Sequence, residues 1–333
     1  MPVLSKVSLE ALSQLLEKAQ NFLLPELQEL ELFLQESSDC EGLTAALVSH
    51  LLLNKGKRIR PLLVLLTASL QGKRPQKNVL RIAGAVELIH TASLVHDDII
   101  DESDRRRGRP SLNCLYGNHL AVLAGDYLFA KAFYYLADDP VLLQLMTRVI
   151  GLMCQGEVEQ GSTLYCCDLN REDYWARVYK KTAFFLGACC RAGGYLAGLS
   201  AREEQLLEDY GVELGKAYQL VDDLLDFTGD PVVTGKPVAS DLLQGIVTLP
   251  VIELMQNKRW KNFLQEHLQN GILTSEKVML LRHALEKEGI INALYEEARQ
   301  RVEKACGLLQ SLPSFPAREH LTSLAQYIVL RQK

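Results

Sequence analysis

An all-α fold follows from three features of the sequence. Apolar residues recur at three- and four-residue steps, alternating apolar–polar runs are nearly absent, and Gly/Pro breakers separate the periodic segments. The first segment places Leu9, Leu12, Leu15, Leu16, Ala19, Leu23 and Leu27 at helical spacing. The pattern returns over 43–53, 61–70, 79–101, 118–136, 141–160, 172–198, 202–228, 246–257, 275–287, 290–310 and 317–331. Breakers fall at Gly72–Pro75, Gly108–Pro110, Asp138–Pro140, Gly229–Pro237 and Leu312–Pro316. No composition shift, long linker or solenoid-type repeat divides the chain. The expectation is one domain over residues 1–333, a bundle of roughly ten or more helices with its site at the centre.

With 333 residues, the chain can bury a large core. Its 48% hydrophobic and 23% charged residues are ordinary for a soluble protein. A net charge of −5 argues against a general nucleic-acid binder, so any anion site must come from locally clustered Lys and Arg. The eight cysteines show no C-x-x-C pair and no zinc-type spacing. Many lie in apolar helical stretches, where a thiol behaves as a small hydrophobe. A reduced, cytoplasmic protein is expected. Met1 to Ala19 carries acidic residues at helical spacing and lacks the apolar core of a signal peptide. The apolar run Pro61 to Leu70 is too short to span a bilayer.

Two aspartate clusters carry the chemistry. Asp97-Asp98-x-x-Asp101 closes the 79–101 segment, and Asp222-Asp223-x-x-Asp226 closes 202–228. On a helix, positions i and i+4 share a face, so Asp97 and Asp101 point the same way and destabilise a bare helix. A cation between them removes that penalty. Oxygen-only ligands favour a hard ion, Mg²⁺, which is usually held by one or two carboxylates plus waters and substrate phosphates. His90 lies two turns before Asp97, near the same stripe, and Gln219 shares the face of Asp222. A solvated acidic surface is the bland alternative, but both clusters interrupt strongly apolar helices.

Two basic groups accompany them. Gly56-Lys57-Arg58-Ile59-Arg60-Pro61 gathers cations where Pro61 suits a helix first turn, a place that already attracts anions. Arg105-Arg106-Arg107-Gly108-Arg109 follows the first aspartate cluster directly. Arginine grips phosphate in a two-pronged fashion. Lys181-Thr182 and Gly235-Lys236 are weak signals on their own. Acidic clusters beside basic ones imply a diphosphate substrate, with metal as Lewis acid and template for a departing pyrophosphate.

In their order along the chain, GKRIRP, IHTASLVHDDIIDESDRRRGRPS, GDYL, KTA, YQLVDDLLDFTGD and GKPVASDL resemble the trans-isoprenyl (polyprenyl) diphosphate synthase family. The similarity runs from about residue 40 to the end and looks nearest to bacterial long-chain octaprenyl and solanesyl diphosphate synthases. The resemblance implies the isoprenoid synthase helix bundle with a central active-site cavity. It implies that Asp97, Asp101 and Asp222, supported by Asp98, Asp223 and Asp226, coordinate two or three Mg²⁺ ions on an allylic diphosphate. Arg106, Lys181, Thr182, Gln219 and Lys236 would contact that substrate, and Lys57, Arg60, His90 and Arg107 would hold isopentenyl diphosphate. A homodimer serving quinone side-chain synthesis, with transient membrane proximity when product leaves, is the corresponding expectation. The sequence departs from the family pattern at Lys55, Ala239 and Ile246, where Gly, Gly and Lys are frequent; the last puts a phosphate contact in doubt.

The family rule for product length looks at the fourth and fifth residues before the first aspartate. Here they are Ser93 and Ala92, both small. Asp97 and Ala92 are only about 7.5 Å apart along a helix axis, so a bulky floor there stops growth early. Small residues leave a tunnel that Ile89, Leu88 and Ala85 continue along the helix, and by the family rule the resemblance implies a long product of roughly C30–C50. The alternatives are a shorter-chain farnesyl or geranylgeranyl synthase and a non-catalytic partner subunit of a heteromeric synthase. Class I terpene cyclases and head-to-head synthases fit less well, because the second cluster is Asp-rich and both basic motifs are present.

Overall fold

A computed structural model of the protein describes residues 9–53, 56–229, 238–268, 273–312 and 315–330. Helices α1 (Leu9–Phe22), α2 (Leu24–Glu36), α3 (Gly42–Leu52), α4 (Ile59–Ala68) and α5 (Lys77–Ile100) lead to a two-strand hairpin, β1 (Arg105–Arg106) with β2 (Arg109–Pro110). Then come α6 (Leu112–Leu136), α7 (Pro140–Ser162), α8 (Arg171–Val178), a π-helical turn (Tyr179–Ala183), α9 (Phe184–Leu196) and α10 (Ala201–Thr228). The chain ends with α11 (Ser240–Leu243), α12 (Leu249–Leu254), α13 (Lys258–Leu268), α14 (Ser275–Lys287), α15 (Ile290–Leu309) and α16 (Pro316–Leu330).

Local chemistry sets the boundaries. Pro25 stands in the first turn of α2 and divides the periodic run Leu9–Leu27 into two helices. Asp139 caps α7 by accepting from Val141 N and Leu142 N, with Pro140 at the first helical position. Asn170 with Asp173 and Ser200 with Glu203 form capping boxes on α8 and α10. Gly117 kinks α6 (φ 79°, ψ 160°), which explains why regular periodicity is visible only from residue 118. Helix α13 is absent from the apolar pattern because Trp260, Leu264 and Leu268 form a narrow buried stripe in a charged segment.

Helices α4, α5, α9 and α10 make the centre. Helix α5 lies along α6, α9 lies between α4 and α10, and α15 covers α10. Most buried apolar side chains from Ala19 to Val329 form one continuous core, and Leu47, Val95, Leu112, Ala121 and Ala124 form a smaller one between α3, α5 and α6. Phe184–Leu196 is buried core, whereas α6 turns Val122, Leu123 and Tyr134 outward. By length and composition α5 and α7 could cross a membrane; α5 is mostly buried within the chain.

The central helices touch at backbone distance. A Cβ on Gly193 of α9 would lie 1.9 Å from Thr67 Oγ1 and 2.4 Å from Val64 O of α4. One on Gly211 of α10 would lie 2.5 Å from Leu186 O. Overpacking of this kind forces backbone shifts. Gly193→Ala is therefore expected to lower unfolding free energy by about 2 kcal/mol, read from urea denaturation.

Candidate active site

A cavity of about 1100 Å³ opens between α5, the arginine hairpin, α7, α8 with the π-helical turn, α10 and the 240–248 segment. Its acidic lining comprises Asp97 of α5, Asp101 at its C-terminal cap, Asp104, Asp222 and Asp223 of α10, Glu157 of α7, and Asp241. The two aspartate clusters therefore meet across one space. Burial first, then Glu157 and Asp101, push the Asp97 carboxyl up to about 6, against the pull of Lys181 and Arg106. Burial, then Asp241 and Asp222, push Asp223 up to about 7, although hydrogen bonds from Gln219 and Tyr174 favour its charged form. Such crowding is relieved by a cation.

The aspartates do not all face this space. Asp98 is 4% exposed and turned into the wall. Arg106 Nε lies 2.8 Å from both of its oxygens and Nη2 2.6 Å from Oδ1. Each helical residue advances about 100°, so Asp98 leaves the helix about 100° away from Asp97, toward Arg106. Asp226 accepts from Ser240 N at 3.0 Å and Oγ at 2.9 Å, and from Asp241 N at 3.3 Å. It caps α11 and fixes the segment that brings Asp241 to the cavity. Asp223 accepts from Tyr174 Oη at 2.7 Å and Gln219 Nε2 at 2.8 Å, and Thr182 Oγ1 donates to Gln219 Oε1 at 2.9 Å.

The basic lining comes from Arg60, Arg105, Arg106, Arg107, Arg177 and Lys181. Arg60 Nη1 lies 3.1 Å from His90 Nε2, and its Nε is buried with no hydrogen-bond partner. Burial and then Arg60 and Arg107 hold the His90 imidazole well below its ordinary pKa, so it is neutral. Lys57 does not line the cavity; its ammonium sits 5.5 Å from the Tyr327 ring centre. Lys236 lies outside the described residues.

Lys181 and Thr182 emerge from the π-helical turn, a local widening that re-aims side chains and is common at functional sites. Gly156 lets α7 close on it, since a Cβ there would be 2.7 Å from Lys181 Cγ. Glu157 pairs with Lys181 at 2.5 Å, and Glu159 pairs with Lys180. Glu157, Tyr174, Arg177 and Asp241 are site residues that the sequence reading did not single out. Asp241 was within reach, because it closes GKPVASDL; Tyr174 carries no sequence signal.

The apolar lining includes Leu94, Phe129, Ile150 and Met153, with the small Ser93 beside them. Ala92 and Ile89 are fully buried and outside it. Five residues before Asp97 is about 140° around the helix, whereas four is about 40°. The lining extends instead toward α6 and α7, with Ser93 and Leu94 on its α5 side.

Residues 41–286 match the family model "Polyprenyl synthetase". The chain belongs to the polyprenyl synthetase family. It is 36% identical over 317 residues to an octaprenyl diphosphate synthase of Escherichia coli, covering 89% of this chain and 97% of that one. To heptaprenyl diphosphate synthase component 2 of Geobacillus stearothermophilus it is 36% identical over 316 residues, 94% of this chain and 98% of that protein. The crystal structure of a Caulobacter crescentus polyprenyl synthase complexed with calcium and isoprenyl diphosphate is similar. It has a TM-score of 0.90 at 29% identity, covering 96% of this chain and 98% of the other.

The family consists of prenyltransferases that are generally Mg²⁺-dependent. Among the described residues no three Asp, Glu, His or Cys side chains converge to hold an ion unaided. That suits a metal whose remaining ligands are substrate phosphates and water. If Asp97 binds metal while Asp98 only orients Arg106, their variants separate. Asp97→Asn is expected to raise the Mg²⁺ concentration for half-maximal rate. Asp98→Asn should leave it unchanged and raise KM for the allylic diphosphate about tenfold, the worth of a charge-assisted contact.

Proposed function

We propose that the protein condenses isopentenyl diphosphate head-to-tail with an allylic diphosphate, in repeated cycles, giving a long all-trans polyprenyl diphosphate. The observation that carries this reading is one cavity with three linings. Carboxylates of α5 and α10 face arginines and Lys181, and an apolar pocket adjoins them. Two or three Mg²⁺ ions, held by Asp97, Asp101 and Asp222 together with the diphosphate, would supply Lewis-acid assistance to its departure.

The protein groups do the rest. Arg106 and Lys181, with Lys236, neutralise the diphosphate as its bond to the allylic carbon breaks. Arg60, His90 and Arg107 hold isopentenyl diphosphate so that its double bond faces that carbon, with Lys57 turning in from Tyr327 to join them. Arg60 Nε, buried without a partner, suits an incoming phosphate oxygen. The new carbon–carbon bond forms, and the proton lost beside it passes to the released pyrophosphate. Thr182 and Gln219, tied together at 2.9 Å, fix the polar wall beside the reacting carbon. Each cycle moves the apolar end deeper between Ser93, Phe129 and Met153. Product for quinone side chains, made in the cytoplasm, is the setting this reading favours, and the eight free thiols suit a reducing compartment.

Purified protein given labelled isopentenyl diphosphate, an allylic primer and Mg²⁺ should form products of roughly C30–C50, the range that the small Ser93 and Ala92 imply under the family rule. Absence of elongation refutes the reading. In the same assay Asp222→Ala should lose roughly 100- to 1000-fold in kcat. Ser93→Phe should shorten the product, and unchanged length removes Ser93 from the wall.

We further propose that the active species is a homodimer joined through α6. Leu115, Val122, Leu123 and Tyr134 are 39% to 74% exposed along with Tyr116 on that helix, and Val141 at the start of α7 is 51% exposed. So much outward apolar surface calls for a partner, and a second copy brings an identical surface of matching chemistry. Sedimentation should give twice the chain mass, and Leu123→Glu should give monomer. A monomeric wild type would instead favour a heteromeric partner.

A further inference from the structure

Lys57 and Arg60, two cations given above to isopentenyl diphosphate, flank Arg58, which points the other way. Arg58 is 8% exposed and takes φ 51°, ψ 35°, the left-handed region that favours glycine. Its guanidinium is bound on three sides. Nε donates to Glu31 Oε1 of α2 at 2.7 Å, Nη1 to Glu87 Oε1 of α5 at 2.6 Å, and Nη2 to Leu52 O at 3.4 Å. With those directions used, it is not available to grip a substrate phosphate. Gln20 Nε2 of α1 donates to Lys57 O at 3.3 Å. On the other flank, the Arg107 guanidinium lies so close to Gly56 that a Cβ there would be 2.5 Å from Nη2. Arg58 and Glu87 also border a small cavity of about 40 Å³ with His90, Arg106 and Arg107.

We propose that Glu31 and Arg58 are positioning residues for the isopentenyl half of the site, so that α2, which precedes the family match at residue 41, sets the aim of Lys57 and Arg60. This rests on the substrate assignment proposed above. A non-glycine residue stays left-handed only while its surroundings hold it there. Two carboxylates around one buried guanidinium do so. Neutralising Glu31 leaves a one-to-one pair with Glu87, which keeps the buried charge compensated. It also removes one anchor, so the 57–60 backbone can relax and turn both cations.

The test is steady-state elongation by the full chain, varying isopentenyl diphosphate and primer separately. The Glu31 side chain is 23% exposed, so Glu31→Gln should fold. Expected is a rise of about tenfold in KM for isopentenyl diphosphate, with KM for the primer and kcat within about twofold. Arg58→Lys, which cannot serve both carboxylates, should shift the same constant further. A lowered Tm with neither KM changed, or with both raised together, overturns the inference and makes the brace merely structural. A wild type that does not elongate overturns both this and the reading beneath it.

Discussion

Like charges held close together inside a poorly screened cleft are the constraint on which this structure depends. Two carboxylates about 4 Å apart repel by roughly 4 kcal/mol at the effective dielectric of a partly buried site. Here Asp97, Asp101, Asp222, Asp223, Asp241 and Glu157 share one cavity. A loose scaffold would let them drift apart. The clusters instead end α5 and α10, which the core fixes from several sides, and contacts at Gly193 and Gly211 leave the central helices little room to slide. The raised pKa values of Asp97 and Asp223 come first from burial and then from their acidic neighbours. They mark the site as one that wants cations, supplied by metal and by the facing arginines.

Within each aspartate cluster the three carboxylates divide the labour. One turn of helix sends Asp97 and Asp101 into the cavity and Asp98 into the wall, where it aims Arg106. In the second cluster Asp222 faces the cavity, Asp223 is steadied by Tyr174 and Gln219, and Asp226 anchors Ser240. Each cluster thus carries charge for the ligand and a fixed point for the loop that follows it. Arginine hairpin and α11 segment are both tied to the helix whose carboxylates they serve.

That division marks the boundary of what the sequence reveals. Helix class and most helix positions are legible because burial imposes the 3.6-residue period. Asp97, Asp101, Asp222 and the arginine run are legible because their chemistry is local. What depends on helices meeting is not. Tyr174 bonds Asp223 across 49 residues, a pairing no local pattern contains. Glu157 looks like one acid of a polar turn until α7 closes on the π-helical turn. Ala92 lies outside the lining that Ser93 joins, because one residue turns a helical side chain by about 100°.

The departures from regular backbone repeat the point at higher resolution. Non-glycine residues with positive φ among the described residues are Arg58, Glu102, Arg107, Tyr165 and Ala239. Arg58 and Arg107 belong to the two basic motifs, Glu102 follows Asp101 directly, and Ala239 precedes the serine bound by Asp226. Tyr165 donates its backbone N–H to Gly245 O at 2.7 Å, beside the 240–248 lining. The π-helical turn adds a sixth irregularity under Lys181. Each costs local free energy and persists only where packing overdetermines it. Arg107 and the π-helical turn line the cavity and the others adjoin segments that do, so the core's close fit is not an end in itself. It holds strained segments in the conformations that point cations and carboxylates at a common volume, and side-chain identity alone would not put them there.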